Sequence, residues 1–268
     1  MCVIFQNQEQ SIHYPVICTN KMIFNNVTNK LFEEYPVYKE SFNFFLVNGN
    51  QIFPSKTIEE NGIKLNVDIA GGQKTGYFLD QKFNRQRAAS YCHGKRVLDT
   101  FTHTGAFGLN AAKAGAKEVI SADISPEAVE LVKKNIEANG LSSQMKTLCS
   151  DVFDLLKKYE AENQKFDVII LDPPAFTKSA KMIEKAYGGY KEINLRAMRL
   201  LNKGGILVTC SCSHFMESQL FCDMIMHAAM DSHRRLQILE KRGAGPDHPV
   251  LLGYPKSEYL KCAVCRVM

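Results

Sequence analysis

No uninterrupted apolar stretch in this 268-residue chain approaches the roughly 20 residues that a membrane span needs. The opening Met-Cys-Val-Ile-Phe-Gln-Asn-Gln-Glu-Gln places no basic segment before an apolar one, so no export signal is expected. Internal repeats and low-complexity tracts are absent too. A nicotinamide-type G-x-G-x-x-G is missing, because His103 stands two residues before Gly105 where the first glycine would be. That argues against pyrophosphate cradling and against a dehydrogenase. Cys262-Ala-Val-Cys265 has no second C-x-x-C beside it, so no metal is expected. The nine cysteines are odd in number and scattered, and without an export signal they read as reduced thiols in the cytoplasm.

What is present is ordinary for a soluble globular protein: 45% apolar, 23% charged and 10% aromatic residues. The length suits one large domain, or one with a small appendage. The net charge of +5 is concentrated. Lys74, Lys82, Arg85, Arg87, Lys95 and Arg96 face only Asp80 within residues 72–96, an excess equal to that of the whole chain. Such a stretch is either a solvated face or a nucleic-acid footprint.

The pattern changes near residue 70. Before it, residues 42–47 and 64–69 alternate and the turns Asn48-Gly49 and Asn61-Gly62 punctuate them, predicting short strands and hairpins. Beyond residue 95, buried apolar runs at 96–100, 118–123, 145–150, 166–172, 205–210, 236–241 and 259–267 read as strands. Helical segments fall between them at 105–114, 126–139, 151–160, 188–201 and 216–230. This alternation predicts an α/β, doubly wound, mostly parallel seven-stranded sheet with a small α+β appendage. The expected boundary separates residues 1–68 from residues 69–268.

Ligands in such sheets bind beyond the carboxyl ends of the strands. The first strand runs into Asp99-Thr-Phe-Thr-His-Thr-Gly105-Ala-Phe-Gly108, a small-residue turn that opens a helix. Asp123 ends the second strand and suits the two hydroxyls of a ribose. Asp151 follows the third, where receiving an adenine amino group and capping a helix explain it equally well. The fourth gives Asp172-Pro-Pro-Ala-Phe176, whose prolines lock an extended exit. There the Asp172 carboxylate can hydrogen-bond a base and the Phe176 ring can stack on it. The fifth ends in Thr209-Cys-Ser-Cys-Ser-His214. A thiol there is a nucleophile if its pKa is lowered and an inert small hydrophobe otherwise.

Together these residues resemble a class I S-adenosylmethionine-dependent methyltransferase with a Rossmann-like sheet. More narrowly, the chain resembles the bacterial 23S rRNA cytosine-C5 methyltransferase family of the large subunit. The carrying motifs are Gly72-Gln-Lys-Thr-Gly-Tyr-Phe-Leu-Asp-Gln81, Val97-Leu-Asp-Thr-Phe101, Asp172-Pro-Pro-Ala-Phe176, Gly189-Tyr-Lys-Glu-Ile-Asn194 and Ser211-Cys-Ser213. The closing Asp247-His-Pro249 and Cys265-Arg-Val-Met268 fit as well, and the resemblance covers about residues 42–268.

The resemblance implies S-adenosyl-L-methionine as cofactor, held by Lys74, Phe78, Asp99, Phe101, Thr102, Gly105, Ala106, Asp123, Ile124, Ser125, Asp151, Val152, Asp172 and Pro173. It implies Cys212 as nucleophile with Asp172 beside it, and Gln81, Arg85, Pro174, Phe176 and Tyr190 against the substrate. The substrate it implies is ribosomal RNA, 23S in particular. It further implies an N-terminal RNA-binding module, of which residues 1–68 would be only part. Two alternatives stay open: methylation of a base nitrogen through Asp172-Pro-Pro-Ala-Phe176, and a non-catalytic cofactor- or RNA-binding assembly protein. No membrane partner is expected, and monomer and homodimer are both kept open.

Overall fold

The structure is a computed structural model that describes residues 2, 3, 16, 17, 56–67, 76–177 and 179–268. Two compact units divide the chain: Met1–Lys56 with Val67–Tyr77, and Thr57–Asn66 with Phe78–Met268. In the first, β1 (Cys2–Val3) pairs antiparallel with β2 (Val16–Ile17). The expected strand 42–47, the Asn48-Gly49 turn and Lys74 lie outside the described residues.

A hairpin joins β3 (Lys56–Glu60) to β4 (Ile63–Val67). Its turn is the expected Asn61-Gly62, with φ of 54° and 70°, the left-handed pair that matches strand twist.

The second unit is built on a seven-stranded sheet. Its strands are β5 (Arg96–Thr100), β6 (Glu118–Asp123), β7 (Met145–Cys149), β8 (Phe166–Leu171), β9 (Leu201–Ser211), β10 (Leu236–Arg242) and β11 (Lys261–Val267). They lie in the order β10-β11-β9-β8-β5-β6-β7, parallel from β9 to β7 and antiparallel for β10 and β11. Consecutive residues Val168, Ile169, Ile170 and Leu171 are all buried, so both faces of β8 are covered and its sequence reads as a continuous apolar run.

Six helices are described in this unit: α1 (Lys82–Ala89), α2 (Ala106–Lys113), α3 (Pro126–Ala138), α4 (Val152–Ala161), α5 (Ile183–Leu200) and α6 (Ser218–Asp231). Local chemistry sets their ends. Ser125 accepts from the Ala128 N–H, Pro126 takes the first helical position of α3, and Gly140 follows it at φ 66°.

Two helices differ from the sequence reading. The sequence pattern did not signal α1, because the face it buries carries Asn84 and Arg85 beside two alanines. α5 starts at Ile183 rather than 188 and passes through Gly188-Gly189. A Cβ on Gly189 would stand 3.2 Å from the Phe176 ring, so this glycine admits an aromatic side chain against the helix.

Strand order reverses between β5 and β8, which opens a crevice at their carboxyl ends. The β3–β4 hairpin is tied to the wall of that region by Asn135 of α3, which is fully buried. Its Oδ1 accepts from the Asn66 N–H at 2.6 Å, and its Nδ2 donates to the Thr104 carbonyl at 2.9 Å. Asn135→Ala strands both backbone groups. Urea unfolding is expected to show a loss of about 2–3 kcal/mol, and an unchanged midpoint would rule this strap out.

Candidate active site

The loop after β5 is organised by one carboxylate. Asp99 is buried, and its Oδ2 accepts from Thr102 Oγ1 (2.5 Å), the Gly108 N–H (2.9 Å) and Ser121 Oγ (3.0 Å). Its Oδ1 has no partner. Burial raises this carboxyl to about 6 against those three stabilising bonds. The chain then passes through left-handed backbone at Phe101 (φ 55°), His103 (51°) and Gly105 (81°). Glycine takes this conformation freely, whereas Phe101 and His103 are strained by an order of 1–3 kcal/mol each.

Asp123 secures the bend from the neighbouring strand. Its Oδ2 takes the His103 N–H at 2.9 Å and its Oδ1 the Ser125 N–H at 3.0 Å. Each oxygen keeps a lone pair for a further donor. Ile124 beside it is 65% exposed, and Phe78 stands edge-on to His103 at 5.1 Å between ring centres. Of the two explanations open for Asp151, the structure shows the cap: its Oδ1 accepts from the N–H groups of Phe153 and Asp154. Val152 and Ala106 are buried at the first turns of α4 and α2.

Across the switch point, Asp172 leaves β8 into Pro173 and the exposed Pro174. Gln81 Nε2 donates to Asp172 Oδ1 at 2.9 Å, and Asn84 Nδ2 holds Gln81 Oε1 at 2.7 Å. Desolvation, helped by the nearby Asp80 carboxylate, pushes Asp172 up to about 7. Asp80 itself is buried and accepts from the Tyr259 hydroxyl at 2.6 Å, while its Oδ1 lacks a partner.

The two thiols of the Thr209–His214 segment separate cleanly. Cys210 is wholly buried, and its hydrogen bond with Cys262 together with burial raises it well above the usual thiol range. It is therefore an inert protonated thiol. Cys212 lies just past the end of β9 and is partly exposed. The Leu171↔Thr209 register puts Asp172 level with Cys210, and Cys212 follows two residues further along the exit from β9.

Four side chains expected against the substrate are held by the protein itself. Arg85 is only 3% exposed, and its guanidinium is gripped by both Glu60 oxygens (2.7 and 2.9 Å) and the Phe78 carbonyl. Its charge therefore points into the protein. Tyr190 is buried and accepts from Ser211 Oγ at 3.1 Å, so it supports the β9 terminus from behind. Gln81 is buried as the brace of Asp172. The Phe176 ring packs on Tyr190, Phe153 and Phe101 with centroids 4.5, 5.8 and 6.3 Å away, which commits it to the core's edge.

Elsewhere in the basic stretch, Arg87 pairs with Glu240 and Arg96 with Glu118, yet both arginines keep solvent-exposed surface. Lys82 and Lys95 remain exposed. Asp80, Asn84, Tyr259 and Lys261 received no role from the sequence. Lys261 alone had a usable signal, being the one charge that opens the apolar run Lys261-Cys-Ala-Val-Cys265.

A switch-point crevice with a carboxylate-organised turn on one side and Asp-Pro-Pro on the other defines a cofactor-dependent group-transfer fold. Residues 41–253 match the S-adenosylmethionine-dependent methyltransferase family, and the chain belongs to it. It is 49% identical over 212 residues to the Ribosomal RNA large subunit methyltransferase I of Photobacterium profundum, covering 79% of this chain and 53% of that protein. The protein of the same name from Aliivibrio fischeri is 46% identical over 224 residues, covering 83% and 57%. The chain thus spans about half the length of these curated relatives.

Among solved structures, SMU.776 complexed with SAH is 25% identical with a TM-score of 0.77, covering 92% of this chain and 66% of that one. The tRNA m1G37 methyltransferase of M. jannaschii, at 23% identity, TM-score 0.57 and coverage of 84% and 59%, shares the fold alone. The site suits the family's cofactor. The unpartnered Asp99 Oδ1 and the Asp123 carboxylate offer acceptors for an ammonium and for ribose hydroxyls, and Ile124 offers an apolar face. Among the described residues, no group of three or more metal-ligating side chains forms, and no helix is long and apolar enough to cross a membrane.

Proposed function

We propose that this chain methylates ribosomal RNA at C5 of a cytosine, in 23S rRNA, with Cys212 as nucleophile. The observation that carries the reading is that Cys212, just past the end of β9, is partly exposed, whereas Cys210 two residues earlier is fully buried. The names of the two relatives support the large-subunit RNA substrate. Asp99, Asp123, Ser125 and Ile124 hold the cofactor in this reading, with Phe78, Phe101, Thr102, Gly105, Ala106, Asp151, Val152 and Pro173 around them.

S-adenosylmethionine, when bound, supplies a methyl group on a sulfonium. The residues have to make cytosine C5 nucleophilic enough to take it. The Cys212 thiolate adds to C6, which makes the ring enamine-like. Asp172, protonated below about 7, donates to the ring nitrogen N3 and offsets the charge that this addition places there. Water takes the C5 proton, the electrons of that C–H bond expel the Cys212 thiolate, and the N3 proton returns to the Asp172 carboxylate, which restores the aromatic ring. The target base must leave its stack, which costs a few kcal/mol, and Pro174 lies exposed at the rim where it would arrive.

The test is mass spectrometry of rRNA nucleosides after incubation of unmodified 23S rRNA with the protein and labelled cofactor. Labelled 5-methylcytidine is expected, and an N-methylated base instead would overturn the reading. A second expectation concerns pH. The wild-type rate should rise with pH while the Cys212 thiol ionises and fall at higher pH as Asp172, raised to about 7, loses its proton. Asp172→Asn keeps an N–H donor at every pH, so its single-turnover profile should lack that fall while running about 10²-fold slower at pH 6.5. An identical fall in both proteins would remove Asp172 from this role.

A further inference from the structure

The reaction described above uses Cys212 as a thiolate, and an unassisted thiol near pKa 8.5 is only a few per cent ionised at neutral pH. A cation beside it would change that. Lys261 is 6% exposed at the start of β11 and lies in register opposite Ser211, the residue before Cys212. Its Nζ donates to the Ser213 carbonyl at 2.6 Å and to the Tyr259 carbonyl at 2.8 Å. The ammonium is therefore clamped against the turn Ser211-Cys212-Ser213.

Two carbonyls take two of its three protons. Among the described residues, no carboxylate stands within 4.0 Å of this Nζ, in contrast to the buried Arg85 with its Glu60. A buried ammonium with no carboxylate is costly. An apolar residue would serve the strand better if packing were the only demand. The groups that interact electrostatically with Lys261 are Cys212 first, then Glu258 and Glu217. The titratable groups that sense Cys212 from the other elements are Tyr190 on α5, raised by burial, and Tyr259, raised by burial and by the Asp80 carboxylate, so both phenols stay protonated. Burial lowers Lys261 to about 8, so it still carries its charge at neutral pH.

We propose that Lys261 is the positioning residue for Cys212, its clamped ammonium holding that thiol in the thiolate form from which addition to C6 starts. The thiol proton leaves to water, and Lys261 keeps its own proton throughout. This rests on the reading of Cys212 as nucleophile, yet it is measured without RNA or methyl transfer.

The experiment is the pH dependence of alkylation by iodoacetamide in the full chain, followed at the Cys212 peptide by mass spectrometry. In the wild type, the Cys212 midpoint should lie at least one unit below 8.5. Lys261→Met should raise it by at least one unit, a roughly tenfold slower alkylation at pH 7. Lys261→Arg, which keeps the charge, should stay near the wild type.

A wild-type midpoint at or above 8.5 overturns the proposal, and so does an unchanged midpoint in Lys261→Met with a native circular dichroism spectrum. If Lys261→Met does not fold, the wild-type midpoint alone decides. Methyl transfer surviving in Cys212→Ala would instead remove the nucleophile reading and leave the alkylation result as it stands.

Discussion

Cys212→Ala should abolish methyl transfer to 23S rRNA, by 10³-fold or more in single-turnover assays, while Cys210→Ala should stay within a few-fold of wild type. The contrast follows from placement two residues apart. Cys210 is paired across the sheet with Cys262, fully buried and pushed to a high pKa, so it contributes packing. Cys212 stands past the last residue of β9, is reachable from solvent and has a buried ammonium at the next carbonyl. In the reaction proposed above, C5 of the cytosine has no route to enamine character without this sulfur, and the remaining groups only bind and orient. Substantial methylation by Cys212→Ala would redirect the chemistry to a base nitrogen.

The largest expected effect on stability lies at the Glu60–Arg85 pair. Both side chains are nearly sealed, with exposures of 4% and 3%, and the guanidinium nitrogens Nε and Nη2 meet the two carboxylate oxygens. Glu60→Ala leaves the guanidinium buried beside the Phe78 carbonyl with its main counter-charge gone. Breaking a buried pair from one side costs about 3–5 kcal/mol. Chemical denaturation should therefore show a loss of that order for Glu60→Ala, and Arg85→Met combined with Glu60→Leu should recover most of it. A single-variant loss below about 1 kcal/mol would mean that water reaches the pair. RNA binding is expected to depend on Arg85 only through stability.

Local chemistry is legible in the sequence, whereas pairing between distant residues is not. The strands β5 and β6 appear at the residues expected, because each is a short β-branched or apolar stretch that ends at an acidic turn, Asp99-Thr or Asp123. The caps of α3 and the hairpin turn at Asn61-Gly62 were equally legible, since their chemistry is local. Partners distant in the chain were not. Glu60 and Arg85 are 25 residues apart, Gln81 and Asp172 are 91, and Tyr259 and Asp80 are 179. No pattern along the chain says that an arginine in a basic stretch meets a buried glutamate, or that a tyrosine in a substrate motif faces inward. Left-handed backbone at Phe101 and His103 was hidden for the opposite reason, because the tertiary bonds to Asp123 and Ala122 override what those residues prefer.

The most direct measurement is a trap of the proposed adduct. A 23S rRNA transcript carrying 5-fluorocytidine has no C5 proton to lose, so the enzyme that has added to C6 and passed a methyl group to C5 cannot be released. Incubation with cofactor, followed by nuclease and protease digestion and mass spectrometry, should give a methylated fluorocytidine attached to the peptide that carries Cys212. Cofactor turnover on unsubstituted 23S rRNA without any such adduct on the fluorinated transcript, or an adduct on a different cysteine, would contradict the account.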